Sequence, residues 1–387
     1  MISSSADHHG SHRDLLWAVG DSLGSPQDID AIIVPTARRP AYLMEAAGLA
    51  QALDCTLVTL HSKQWTNAAK AAPRLPRDLD FIAIDLPECA QLNLPKWRTS
   101  KLLEGTVFAR RTDLSAKRNL GLMLSRLAGW SRVLFLDDDI TRLNPNDVRR
   151  ASGALDIYNA VGLQLTGFPN HSVVCHAYRM AGGSQQSFVS GRALTIQTAR
   201  IDSFFPDIYN DDWFFLLDGD KGLHPVGMTG EAGQYPYDPF RSPGRARAHE
   251  LGDVLSEGVY WLLDQEGSFA DANRDHWAQF LRRRQNFILS VIDEIQTNHA
   301  FAHDEKMRMI AALKGSLGRL ALITPDLCEM YMRAWSVDRQ SWRRHLERLP
   351  VVRGERFGVN GSRSRTLLTL TRAGAPSLPW QVGSRGS

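Results

Sequence analysis

The sequence predicts an α/β chain: a mainly parallel sheet flanked by helices, followed by a C-terminal helical region. Three observations carry this. Short apolar runs alternate with helical patterns from Ile29 onward, the pattern of βαβ units. One run, Val133-Leu134-Phe135-Leu136, ends in three consecutive carboxylates, Asp137, Asp138 and Asp139, and a short Val/Leu/Phe run of this kind suits a strand buried on both faces. After Leu251 the strand patterns stop, and long amphipathic ones take over.

Taken in order, residues 1–27 are Ser-, His- and Gly-rich at first and read as a flexible leader,. His8, His9 and His12 are metal-capable residues within it. Ile29–Val34 is a first strand, broken by Pro35-Thr36-Ala37-Arg38-Arg39-Pro40, and Ala41–Leu53 is a helix with Leu43, Ala46, Ala47, Ala50 and Leu53 at helical spacing,. Cys55–Leu60 and Phe81–Ile84 are strands, the latter ending at Asp85. Ser115 is expected to cap a helix running to about Ala128,. Pro145-Asn146 open another helix, and Ala160–Leu165 and Phe188–Ile196 read as strands, the second carrying Ser190-Gly191. Residues 222–248, rich in Gly, Pro and Arg with Tyr235 and Tyr237, read as an ordered loop or lid,. Leu251–Leu263, Asp275–Ile295, Glu305–Ile323 and Pro325–Leu346 read as helices, the last opened by the cap pair Thr324-Pro325,. The expected domains are therefore 28–250 for the sheet and 251–351 for the helical region, with a basic, disordered tail over 352–387,.

Composition narrows the function classes. The chain has 387 residues, 43% hydrophobic and 22% charged, an ordinary globular balance. Its formal charge of +3 is uneven: six arginines against one acid give the tail +5, which leaves −2 for the rest. A basic tail alone is no nucleic-acid footprint, so no nucleic-acid partner is expected, while peripheral membrane contact through the tail stays open. The four cysteines form no CxxC pair, which indicates neither a zinc site nor a redox dithiol. With no apolar run near the ~20 residues of a membrane helix, the chain reads as cytoplasmic with reduced thiols.

Two acidic motifs carry the candidate chemistry. Three adjacent carboxylates repel unless something positive sits among them, and a hard cation such as Mg²⁺ or Mn²⁺ takes oxygen ligands of this kind. The carboxyl edge of an open α/β sheet is also where ligands bind. A solvated acidic turn before the next helix is the plainer alternative. The second motif, Tyr209-Asn210-Asp211-Asp212-Trp213-Phe214-Phe215, sets two carboxylates among aromatics. Such a setting can raise a carboxylate pKa and make a general base; helix N-capping under an aromatic cluster is its structural alternative.

Together the strand with Pro35-Thr36, then Lys117-Arg118-Asn119-Leu120-Gly121, Leu136-Asp137-Asp138-Asp139, Ser190-Gly191 and Asn210-Asp211-Asp212-Trp213 resemble the GT-A nucleotide-sugar glycosyltransferases, family-two-like, over roughly 28–249. Each motif is weak alone, and their order gives the resemblance its weight. The resemblance implies a GT-A, Rossmann-like fold and an inverting, metal-dependent transfer from a UDP- or GDP-sugar to an acceptor hydroxyl the sequence does not name. It implies Asp139, Asp137 and a late histidine, His249, for Mn²⁺ or Mg²⁺, with His224 the second choice. It implies Pro35, Thr36, Arg38, Asp85, Lys117, Arg118, Asp137, Asp138 and Gly191 on the donor, and Asp212 as catalytic base with Asp211 its rival. The pair is Asp-Asp where Glu-Asp is usual in the family, which leaves that choice open. A nucleotidyltransferase would share the sheet and acids but usually shows a Gly-rich loop after the first strand, absent from 35–40. A haloacid-dehalogenase-like phosphatase would use Asp137 as nucleophile, normally on a first strand. A degenerate, non-catalytic domain is the remaining alternative, against which the intact acids count.

Overall fold

The computed structural model describes residues 7–9, 12–18, 25–62, 65–86, 94–166, 172–185, 188–219 and 222–349, together with backbone strands over 365–371 and 381–384. In chain order the elements are β1 (Trp17–Ala18), β2 (Ala31–Thr36), α1 (Met44–Leu53), β3 (Thr56–His61), α2 (Ala68–Ala71), β4 (Phe81–Asp85), α3 (Arg98–Leu103), α4 (Leu114–Ala128) and β5 (Arg132–Leu136). There follow β6 (Ile140–Thr141), α5 (Pro145–Ala154), β7 (Ala160–Thr166), α6 (Val173–Met180), β8 (Ala193–Gln197), α7 (Asp211–Phe215), β9 (Leu217–Asp218), β10 (Gly222–Leu223) and β11 (Val226–Gln234). The chain continues through α8 (Pro243–Asp264), α9 (Arg274–Thr297), α10 (His303–Leu320) and α11 (Pro325–Glu347) to β12 (Arg365–Thr371) and β13 (Gln381–Ser384).

The sheet runs β1-β11-β7-β8-β5-β2-β3-β4-β12-β13, with β6 beside β11. Pairing is parallel from β5 through β2 and β3 to β4, and again between β7 and β11. The sheet is mainly parallel, as expected, with an exception at its centre: β8 is antiparallel to both β5 and β7. Strands β2 and β3 are buried at every position, as an internal parallel strand requires. Pro35 does not end β2: the strand stays paired with β3 as far as Thr36, while its pairing with β5 stops at Ile33. A proline is tolerated where the ladder on one side has already ended.

The main departure from the sequence reading is β11. Residues 226–234, expected in a lid, form a long strand beside β7. Its composition, VGMTGEAGQ, hides it. Gly230 sits at φ +67 where the register shifts between Met228 and Glu231, a conformation that glycine adopts without steric cost. The strand expected over 188–196 is shorter, beginning at Ala193. Ser115 does not cap its helix either; it lies inside α4, which starts one residue earlier.

Several helices begin where the sequence supplies side-chain acceptors for their first N–H groups. Asn144, Ser172, Ser242, Asn273 and Thr324 each accept a backbone N–H at the start of α5, α6, α8, α9 and α11. The helical region packs through Trp277, Trp335 and Trp342, all essentially inaccessible, with Trp277 against Gly258 of α8 and Trp342 beside Trp97. Phe214 and Phe269 meet Trp335 edge to face at 5.6 Å, and truncating a tryptophan buried like this typically costs ~3–5 kcal/mol. A polar latch fastens the same interface: Asp338 of α11 accepts from the N–H groups of Arg98 and Thr99 at 2.7 and 2.8 Å, at the start of α3.

Two end segments bear on the expected domains. Within 1–27, β1 lies parallel to β11 and His12 is buried against α8. Within 352–387, β12 runs parallel to β4 and β13 pairs with β12; the rest of that tail lies outside the described residues. Among the described residues no helix is long and apolar enough to cross a membrane, and Cys55, Cys175 and Cys328 are free, buried thiols.

Candidate active site

The sheet leaves its central strand β5 at Leu136, and the next three residues turn in different directions. Asp138 points back toward β2. Its Oδ2 accepts from Thr36 Oγ1 at 2.7 Å and its Oδ1 from Arg38 Nη1 at 2.5 Å. Burial pushes its carboxyl up to about 6, against the opposing pull of Arg38 and Thr36. Asp139 Oδ2 accepts from the same guanidinium at 3.2 Å and from Gln234 Nε2 at 3.3 Å. Asp137 faces the other way, toward α4, and its Oδ1 accepts from Arg118 Nη2 at 2.9 Å. The positive charge that three neighbouring acids require is thus supplied by arginines.

Arg118 links the two acidic motifs. It is 3% exposed, and its Nη1 reaches Asp211 Oδ1 at 2.8 Å while Nη2 holds Asp137. Burial disfavours its charge, but Asp211 and Asp137 outweigh that and hold its pKa above the ordinary arginine value. Asp211 is fixed further by Ser115 Oγ, which donates to its Oδ2 at 3.0 Å. Burial raises the Asp211 pKa, Arg118 opposes that, and the neighbouring Asp212 adds to it.

Asp212 is held differently. Its Oδ2 accepts the Gly191 N–H at 2.7 Å and its Oδ1 the N–H of Trp213 at 3.1 Å. Both donors are backbone groups, no side chain among the described residues pairs with it, and it is half-buried. Gly191 is needed for this approach, because a Cβ there would lie 2.5 Å from the Asp212 Cβ. Asn210, immediately before α7, adopts φ +60, and its Nδ2 donates to Asp253 Oδ1 and Ser256 Oγ at 3.1 and 3.0 Å. That left-handed backbone is tolerated by asparagine and turns the Asp211-Asp212 pair toward Gly191.

A cavity of about 250 Å³ opens between these groups; Asp137, Asp211, Asp212, Arg192 and His249 are among its walls. His249 lies on α8, stacked on Tyr209 with ring centroids 3.7 Å apart. Burial, with Arg245, Arg110 and Arg192 nearby, drives its pKa well below the usual histidine range and so favours the neutral imidazole. Its buried Nδ1 has no hydrogen-bond partner among the described residues.

The other sequence candidates fall elsewhere. Lys117 is 2% exposed and bonds the Thr36 carbonyl and Ser62 Oγ at 2.8 and 2.6 Å; it braces the end of β2. Asp85 Oδ1 accepts the Ala68 N–H at 2.7 Å, at the start of α2. Pro35 is a buried β2 residue. His224 is buried just after β10, its Nδ1 3.1 Å from Asn159 Nδ2, and does not line the cavity. Arg110, Arg192, Arg245 and Tyr209 do line it and were missed by the sequence reading. Arg192 had a signal, standing directly after Ser190-Gly191; Arg245 had none beyond its place in a basic stretch.

The donor chemistry at Asp137 and Asp139 fits a hard cation. Arg118 takes one oxygen of Asp137, and Arg38 with Gln234 takes one of Asp139. Among the described residues no hydrogen bond reaches the second oxygen of either carboxylate, although Arg192 Nε lies 4.0 Å from that of Asp137. Two such oxygens suit Mg²⁺ or Mn²⁺. His249, Asp137 and Asp139 are not gathered into one tight cluster, since among the described residues such a group forms only elsewhere, around Asp264.

No family model matches the chain, and no curated protein matches it. Among solved structures, a mannosyltransferase from Pyrobaculum calidifontis, determined in complex with GDP-Man and Mn²⁺, is similar over 83% of this chain and 90% of its own, at 15% identity and a TM-score of 0.39.

Proposed function

We propose that this chain is a glycosyltransferase of the GT-A type that moves a sugar from a nucleotide-sugar donor to an acceptor hydroxyl with inversion. The observation that carries the reading is the contrast within one cavity: Asp212 is held by backbone N–H groups alone, whereas Asp211 and Asp137 are both fixed by Arg118. A base must be free to take a proton, and a leaving diphosphate must be met by fixed positive charge. In this reading the acceptor oxygen attacks the anomeric carbon while its proton passes to Asp212. The bond to the diphosphate oxygen breaks on the opposite face. Arg118 and Arg192 orient and balance the charge near Asp137, and Thr36 and Arg38 hold Asp138 and Asp139 in place at the strand end. A divalent cation held by Asp137 and Asp139 would supply Lewis-acid neutralisation of the leaving group.

The test is a calorimetric screen of UDP- and GDP-sugars with Mn²⁺ and with chelator, run on the wild type and on Asp139→Ala. One donor is expected to bind with Mn²⁺ and to lose at least about tenfold in affinity in the folded mutant. Absence of any nucleotide-sugar binding, or affinity unchanged in Asp139→Ala, would overturn the donor and metal roles respectively.

A further inference from the structure

His9 and His12 lie three positions apart, ahead of β1, and Asp264 ends α8. The Nε2 of His9 lies 3.2 Å from Asp264 Oδ2, and the Nδ1 of His12 is hydrogen-bonded to that same oxygen. The two imidazoles stack at 4.5 Å with 9° between their planes. All three ligand atoms fall within 4.8 Å of one another. We propose that His9, His12 and Asp264 form a binding site for one borderline divalent cation, Zn²⁺ or a first-row neighbour, separate from the acids that end β5.

The donor set selects the metal class. Two imidazole nitrogens with one carboxylate oxygen suit Zn²⁺ and its neighbours better than Mg²⁺ or Mn²⁺, which favour all-oxygen sets. In a tetrahedral zinc site the metal–ligand bonds are ~2.0–2.2 Å, which sets the ligand atoms roughly 3.3–3.6 Å apart, so the 3.2 Å between His9 and Asp264 needs only a slight adjustment, while His12 and Asp264, in direct hydrogen-bond contact, must part to admit the ion. The His12 and Asp264 side chains are each only 6% exposed, whereas that of His9 is 32% exposed, so the site is walled by protein with access on the His9 side. A void of about 10 Å³, lined in part by His9, His12 and Trp261, adjoins it. His8 is not a ligand, because its ring stacks on Phe287 at 4.0 Å and its Nε2 bonds Gln185. Three protein ligands leave a fourth position for water.

The site would act as a staple. His12 also lines the large cavity and meets Trp213 and Tyr260 edge-on at 5.4 and 5.5 Å. Trp213 follows Asp212 directly. A cation joining His9 and His12 to Asp264 would therefore fix the cavity wall beside that carboxylate.

The experiment uses the full chain without a polyhistidine tag, stripped with chelator. Zn²⁺ is titrated by calorimetry, and Co²⁺ is followed by its visible absorption. One equivalent of Zn²⁺ is expected at micromolar affinity or better, with an intense Co²⁺ band of the four-coordinate type. Both should weaken at least about tenfold in His9→Gln and Asp264→Asn and stay unchanged in Asp139→Ala. Circular dichroism checks the fold, and the partly exposed His9 position decides if Asp264→Asn does not fold. No stoichiometric Zn²⁺ binding, or binding unchanged in His9→Gln, overturns the proposal. Neither readout depends on sugar transfer, so this site and the proposed activity can fail independently.

Discussion

The acids after β5 and the acids that begin α7 are both runs of adjacent carboxylates, but the structure treats them differently. In the first run each acid has a guanidinium beside it: Arg118 on Asp137, and Arg38 on Asp138 and Asp139. In the second, Asp211 is bonded to Arg118 and Ser115, and Asp212 is left to backbone donors. Neighbouring like charges are thus separated by partner. One carboxylate is fixed by side chains and the next by backbone N–H groups alone, although both belong to the same residue type one position apart.

The largest expected effect tests that division. Asp212→Asn keeps the shape and removes the proton acceptor, so turnover should fall ~10²–10⁴-fold with donor affinity little changed. Asp211→Asn serves as the comparison in the same transfer assay. Near-normal turnover in Asp212→Asn, or a product that keeps the donor's anomeric configuration, would reverse the assignment. Next comes the shared guanidinium. Arg118→Ala leaves Asp211 buried without its counter-ion, a change that typically costs ~3–5 kcal/mol. Urea unfolding should show it, and a loss below about 1 kcal/mol would mean that the two motifs are not tied through this side chain.

The smallest expected effect concerns pH. The Asp138 carboxyl is raised by burial to about 6 from an ordinary 3.8. A raised acid pKa means that the folded state binds the proton more tightly. The penalty of the buried charge is absent below about 4, grows as pH rises, and is complete above about 6. It is worth on the order of 2–3 kcal/mol. The stability of wild type minus that of Asp138→Asn should therefore decrease between pH 4 and 7 in urea unfolding. A difference that is flat across that range would show Asp138 to be solvated.

Much of this was legible because it is local. Val133–Leu136 reads as a buried strand from its composition, and the acids directly behind it fall at the sheet edge by continuity. Thr324-Pro325 announces α11 because its capping partners are three residues away. What was not legible depends on distance along the chain. Nothing near Asp139 reveals that Arg38 neutralises it, since the two are 101 residues apart. Lys117 looks like an anion-binding lysine at a helix start, and only the fold shows it folded inward to the Thr36 carbonyl. Strand β11 was hidden because its place between β1 and β7 is fixed by pairing, which a glycine-rich sequence does not advertise. His9 and His12 gain meaning only from Asp264, more than 250 residues onward.

Helix α8 has a practical consequence for anyone who would divide this chain. A cut at residue 250, where strand patterns give way to helical ones, passes through the first third of a helix running from Pro243 to Asp264. A fragment ending there would keep His249 and Glu250 on a remnant of two turns, without Leu251, Val254, Leu255 and Val259, which bury the helix. It would also lose Asp253, which accepts from Asn210 just ahead of the Asp211-Asp212 pair, and the Tyr260 hydroxyl, which donates to the Trp213 carbonyl at 3.0 Å. The helical region is therefore not an appendage to be trimmed, and sheet and helices should be expressed, crystallised and shuffled between relatives only as a single unit.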